Sequence, residues 1–159
     1  MLQSQCLTYL AIVYRKLGQI EETRHTCSQA LVKATEAQRP EDIGMSKANL
    51  AWVAWRLGNL IEIQEHGHAA LDLWHSLPLE FPFRWTALWP LLAVALTKAQ
   101  IAEAVDYART LLNPLQERLP ETLTTALEAA IQTWDSNESE TARSLLQQAM
   151  ILAQEMRFL

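Results

Sequence analysis

Tyr14 to Leu31 reads YRKLGQIEETRHTCSQAL, and Ala54 to Leu71 reads AWRLGNLIEIQEHGHAAL, 40 residues further on. Leu17-Gly18 falls on Leu57-Gly58, Glu22 on Glu62, and Ala30-Leu31 on Ala70-Leu71. Two fainter copies follow, ALTKAQIAEAVDYARTLL at 95–112 and TWDSNESETARSLLQQAM at 133–150. They set Ala99 and Asn137 where the first two copies have Gly18 and Gly58. The four turn positions 18, 58, 99 and 137 are thus 40, 41 and 38 residues apart. A period of this size constrains the fold more than any single motif. It implies helical hairpins that bury their apolar faces against one another.

Each unit has the same internal pattern. In the first helix of unit one, Leu7, Leu10, Ala11 and Tyr14 recur at helical spacing and predict one apolar face. Gly18 supplies the backbone freedom needed where that helix ends. Thr23, Cys27 and Ala30 then face back across the hairpin, small enough to let the helices approach. Unit two repeats this with Leu50, Ala51 and Ala54 against Ile63, Gly67 and Ala70. Proline marks the joins, at Pro40, at Pro78 with Pro82, and at Pro120. Pro114 ends the second helix of unit three early. Pro90 sits inside the apolar run of that unit and predicts a kink, or a helix starting near Trp89. The expected fold is therefore all-α, a right-handed α-solenoid of four helical hairpins and about eight helices. It forms one domain over 1–159, with units at about 2–38, 41–77, 83–118 and 120–157.

These residues resemble the tetratricopeptide repeat, with Leu10-Ala11-Tyr14-Gly18-Ala30 and Leu50-Ala51-Gly58-Ala70 carrying the likeness. Units three and four keep the alanines and lose the glycine, and the period exceeds the family's length of about 34 residues. The stretch ALDLWHSLPLEFPFRWTALWPLLAVAL, 70–96, is similar to the C-terminal helical repeats of large bacterial signalling ATPases. That likeness implies a sensing or scaffolding region and not the ATPase, because no phosphate-binding Gly-x-x-x-x-Gly-Lys-Ser/Thr loop is present.

Charge narrows the partners. The formal net charge is -5, and no basic face suited to nucleic acid is visible. The longest uncharged run, Trp85–Thr97, is too short to span a bilayer. The opening MLQSQCLTYL does not read as a secretory signal, and two cysteines make no disulfide framework, so a cytoplasmic setting is expected. The apolar ends, from Leu2, Leu7 and Leu10 to AMILAQEMRFL, predict either a segment of a longer chain or cover by a second copy.

Chemistry has few candidates. His66 and His68 lie two residues apart, so on a helix they point to different sides and cannot share an ion. Glu21, Glu22, Glu138 and Glu140 sit in first helical turns, where they favour the positive helix end. Cys27 holds an inward position and reads as packing. No nucleophile constellation is readable, and no metal or cofactor is expected. Tryptophan is more informative. Aligned first-helix positions give a concave wall of Ile12, Arg15 and Lys16, then Trp52, Trp55 and Arg56, then Trp89, then Trp134. Aromatics and arginine dominate binding hot spots, and such a groove suits an amphipathic helix with some acidic residues. The chain is read as a non-catalytic scaffold binding a protein or peptide. The alternatives are a sensor segment for a small apolar ligand and a structural dimerisation module.

Overall fold

The computed structural model describes residues 2–159, and within them it is all-α. Its helices are α1 (Leu2–Lys16), α2 (Ile20–Glu36), α3 (Pro40–Arg56), α4 (Leu60–His75), α5 (Trp85–Thr97), α6 (Ile101–Leu111), α7 (Glu121–Asp135) and α8 (Ser139–Glu155). Met1 and the Leu2 side chain, counted above among the apolar end residues, lie outside the described residues.

The turn inside each hairpin is the same structure four times. Gly18 and Gly58 both have φ 74°, Ala99 56° and Asn137 64°. In each case the amide of that residue donates three residues back and the next amide donates five back. Gly18 pairs with the Arg15 carbonyl and Gln19 with Tyr14; Ala99 pairs with Leu96 and Gln100 with Ala95. This is the Schellman arrangement, which satisfies two carbonyls at a helix end and requires a left-handed residue. Alanine in that conformation costs about 1–2 kcal/mol, partly offset by its lower chain entropy when unfolded. Ala99→Gly is therefore expected to stabilise the protein by about 0.5–1 kcal/mol and to raise Tm by about 2 °C in thermal unfolding.

Consecutive helices pack on one another, and α1 meets α3 as α3 meets α5. A regular stack would next set α7 beside α5. Instead α5 meets α8, and α8 also touches α6. The fourth hairpin is turned so that its second helix lies against the third hairpin. This carries the turn after α8 back to the first hairpin, where the Phe158 carbonyl and Arg157 reach α1.

Two packing expectations change. The buried face of α1 is Ser4, Thr8, Ala11 and Arg15, not the row through Leu7, Leu10 and Tyr14. Leu10 and Val13 are exposed, and Leu7 and Tyr14 half-buried. The polar row wins because it has partners: Ser4 Oγ donates to Asp42 of α3 at 2.7 Å, and Arg15 reaches α3 and α5. Gly67, read as facing across its own hairpin, instead admits α5: a Cβ there would lie 2.7 Å from Leu91 Cγ.

Helix α5 is the centre of the molecule, buried on nearly every side. It starts at Trp85 and runs through Pro90, so it does not begin near Trp89. Pro90 has no N–H for the carbonyl four residues back, that of Thr86. The Arg15 guanidinium supplies the missing donor, Nη1 to Thr86 O at 2.8 Å.

Candidate functional site

Arg15 shows how the site is assembled. It lies in the last turn of α1, where a cation complements the helix dipole, yet it is buried, 2 % exposed. Nη1 donates to the Thr86 carbonyl and to Asn49 Oδ1 at 3.3 Å, and Nη2 donates to the Phe158 carbonyl at 2.8 Å. Its Nε–H has no acceptor. The guanidinium carbon lies 5.2 Å from the Trp85 ring centre and 5.8 Å from that of Trp52. Carbonyl dipoles and aromatic faces hold this cation, and no carboxylate pairs with it. Burial without a counter-charge pulls its pKa down to about 9, against a smaller opposing pull from Cys27. The group remains a cation at neutral pH.

Above Arg15 lies a cavity of about 190 Å³ lined by Arg15, Lys16, Leu17, Gly18, Arg56, Gln154, Arg157 and Leu159. Three separate parts of the chain supply its cations: the end of α1, the end of α3 and the turn after α8. Lys16 Nζ stands 5.4 Å from the Trp85 ring centre and 5.1 Å from that of Phe158. Arg56 lies 5.3 Å from the Trp52 ring centre, on a ring that also faces Arg15. Arg157 Nη1 donates to the Lys16 carbonyl at 3.1 Å. The ion pairs of the described residues are made by Arg24, Lys33, Arg39, Arg84 and Arg109. None of the four cavity cations takes part.

The predicted site residues therefore divide. Arg15, Lys16 and Arg56 come together at this cavity, with Trp52 beneath them. Trp52 and Trp89 do not line a groove wall: they are 1 % and 0 % exposed and belong to the core, so neither can touch a partner in this fold. Trp52 of α3 and Trp89 of α5 face into the cluster that they share with residues of α6, α7 and α8. Ile12, Trp55 and Trp134 are half-buried and rest against the core without lining the cavity.

Trp85, Arg157 and Phe158 complete the site and were not singled out from the sequence. Trp85 is fixed edge-on to Phe158 at 5.1 Å, and its indole N–H donates to Glu117 at 2.6 Å. No local signal marks Arg157 and Phe158, since their partners on α1 lie more than 140 positions away.

The other titratable groups sit elsewhere. Burial lowers His66, helped by Lys47. His68 Nε2 is 3.1 Å from the Tyr107 hydroxyl, which donates to Glu103 at 2.8 Å, so the imidazole is the donor in that chain. Burial, with the Glu103 bond, pushes the Tyr107 hydroxyl up. Burial likewise pushes the Cys27 thiol up to about 12, which leaves it a packed, unreactive group. Among the described residues no three His, Cys, Asp or Glu side chains converge as a metal set, and no helix is long and apolar enough to cross a membrane. Comparison of the chain with family models, curated proteins and solved structures finds no match, so function rests on this geometry.

Proposed function

We propose that the chain is a non-catalytic protein-interaction module that receives an acidic segment of a partner at the cationic mouth formed by Lys16, Arg56 and Arg157 over Arg15. One observation carries this reading. In a chain of net charge -5, four of the 13 Lys and Arg residues converge on one cavity whose lining holds no Asp or Glu. Such a local field draws and orients an acidic ligand despite the overall charge. Right-handed, tetratricopeptide-like stacking of the first hairpins fits the role, since it sets the ends of α1 and α3 side by side, and the turned fourth hairpin adds Arg157. Two free cysteines, Cys6 and Cys27, fit a reducing cytoplasmic setting.

The test is fluorescence anisotropy with a labelled, glutamate-rich amphipathic peptide. Wild-type affinity should fall steeply with salt. In K16E/R56E/R157E it should drop at least about tenfold, because reversed rim charges repel the ligand. All three residues are exposed, so circular dichroism should show unchanged helix content. Equal binding by this variant would sink the assignment.

A further inference from the structure

We propose that the cavity framed by Arg15, Lys16, Arg56 and Arg157 is a binding site for a phosphate dianion. This rests on the interaction reading above and goes beyond it by naming the anion. Four cations exceed what one carboxylate balances, and three of them are guanidinium groups, whose flat fork of N–H donors matches tetrahedral oxyanions. The donors are also free. Lys16 Nζ and Arg56 donate to no protein acceptor among the described residues, and Arg157 uses only Nη1, on the Lys16 carbonyl. On the floor, the buried Arg15 spends its Nη donors on the Thr86 and Phe158 carbonyls and Asn49 Oδ1, so its charge faces the cavity with no carboxylate partner.

The site also has fixed walls. Lys16 Nζ lies against both the Trp85 and Phe158 rings, and Arg56 lies over Trp52 and beside Gly18, where a Cβ would stand 3.6 Å from Arg56 Nη1. Cations already oriented by aromatic faces lose little freedom when an anion arrives.

The same dianion can come free or as a phosphorylated side chain on the acidic segment, and two arms separate these sources. First, the full chain is melted at constant ionic strength, with chloride exchanged for inorganic phosphate. Measured at about pH 7.5, where phosphate is largely doubly charged, Tm should rise by about 3 °C at about 20 mM phosphate. The rise should vanish in K16A/R157A, and R56Q, which keeps size and removes charge, should halve it or more. A rise that is absent, or equal in the variants, overturns the site, since phosphate excluded from any surface stabilises all of them alike.

Second, one acidic peptide is compared with serine and with phosphoserine at one position. Phosphoserine should bind at least about tenfold tighter, and only when Lys16 and Arg157 are present. Equal affinities would overturn the side-chain source while leaving the acidic-segment reading in place. A phosphate-dependent Tm rise with neither peptide captured would keep the anion site and remove the interaction reading.

Discussion

Trp89→Ala and Trp52→Ala are each expected to lower stability by about 3–5 kcal/mol, the cost of emptying a large aromatic site in a packed core. Trp89 is fully enclosed within the cluster that α5, α6, α7 and α8 share. Trp52 joins the same cluster, and its ring also meets two guanidinium groups, Arg15 at 5.8 Å and Arg56 at 5.3 Å. Removing the ring takes away both cation–π contacts as well as leaving a void. Neither indole N–H has an acceptor, so Phe in place of Trp keeps most of the ring and removes an unpaired donor. Trp89→Phe should therefore cost much less than Trp89→Ala. Trp55→Ala, at a half-buried position, should cost less than either core alanine. Urea unfolding followed by circular dichroism measures all four, and a loss under about 1 kcal/mol for both core alanines would contradict the packing. A groove wall through Trp52 and Trp55, as the aligned repeats implied, predicts that alanine at both abolishes capture with helix content intact. At Trp52 the structure replaces that with a loss of stability.

Gly44→Ala carries the second large effect. In an exposed helix this change gains up to about 1 kcal/mol of helix propensity. Here a Cβ would overlap Trp74 Nε1 and lie 2.7 Å from Cε2 and 2.9 Å from Cδ1. The indole cannot step aside. It is fully buried, stacked on Phe81 with centroids 4.6 Å apart, and its N–H donates to the Glu41 carbonyl at 3.2 Å. Overpacking of this kind costs about 1–3 kcal/mol and outweighs the propensity gain, so net destabilisation is expected. The colliding atoms all belong to the five-membered ring, which phenylalanine lacks. G44A/W74F should consequently be more stable than the sum of its single changes by about 1 kcal/mol, read as a double-mutant cycle. Strict additivity would show that Gly44 does not admit the indole edge.

The repeat, the helices and the turns were legible in the sequence because each depends on residues within a few positions of one another. Gly18, Gly58, Ala99 and Asn137 could be placed from spacing alone, and each takes the left-handed conformation that a Schellman turn needs. The site was legible only in part. Arg15, Lys16 and Arg56 could be grouped because they fall at the same end of two aligned helices. Trp52 and Trp89 were misplaced because an aligned position says which way a residue points, and not whether another element covers it.

What the sequence by itself determined is therefore the all-α architecture, its period and the helix-ending turns, all consequences of short-range backbone and periodicity rules. Only the tertiary structure decided that α8 and not α7 packs on α5, and that the turn after α8 returns to α1. It also decided that Pro90 and Arg15 belong together. A proline removes one hydrogen bond from α5, and an arginine 71 positions before the freed Thr86 carbonyl restores it. Such pairings follow from the need of buried carbonyls for donors, which any distant part of the chain can meet once folding brings it there.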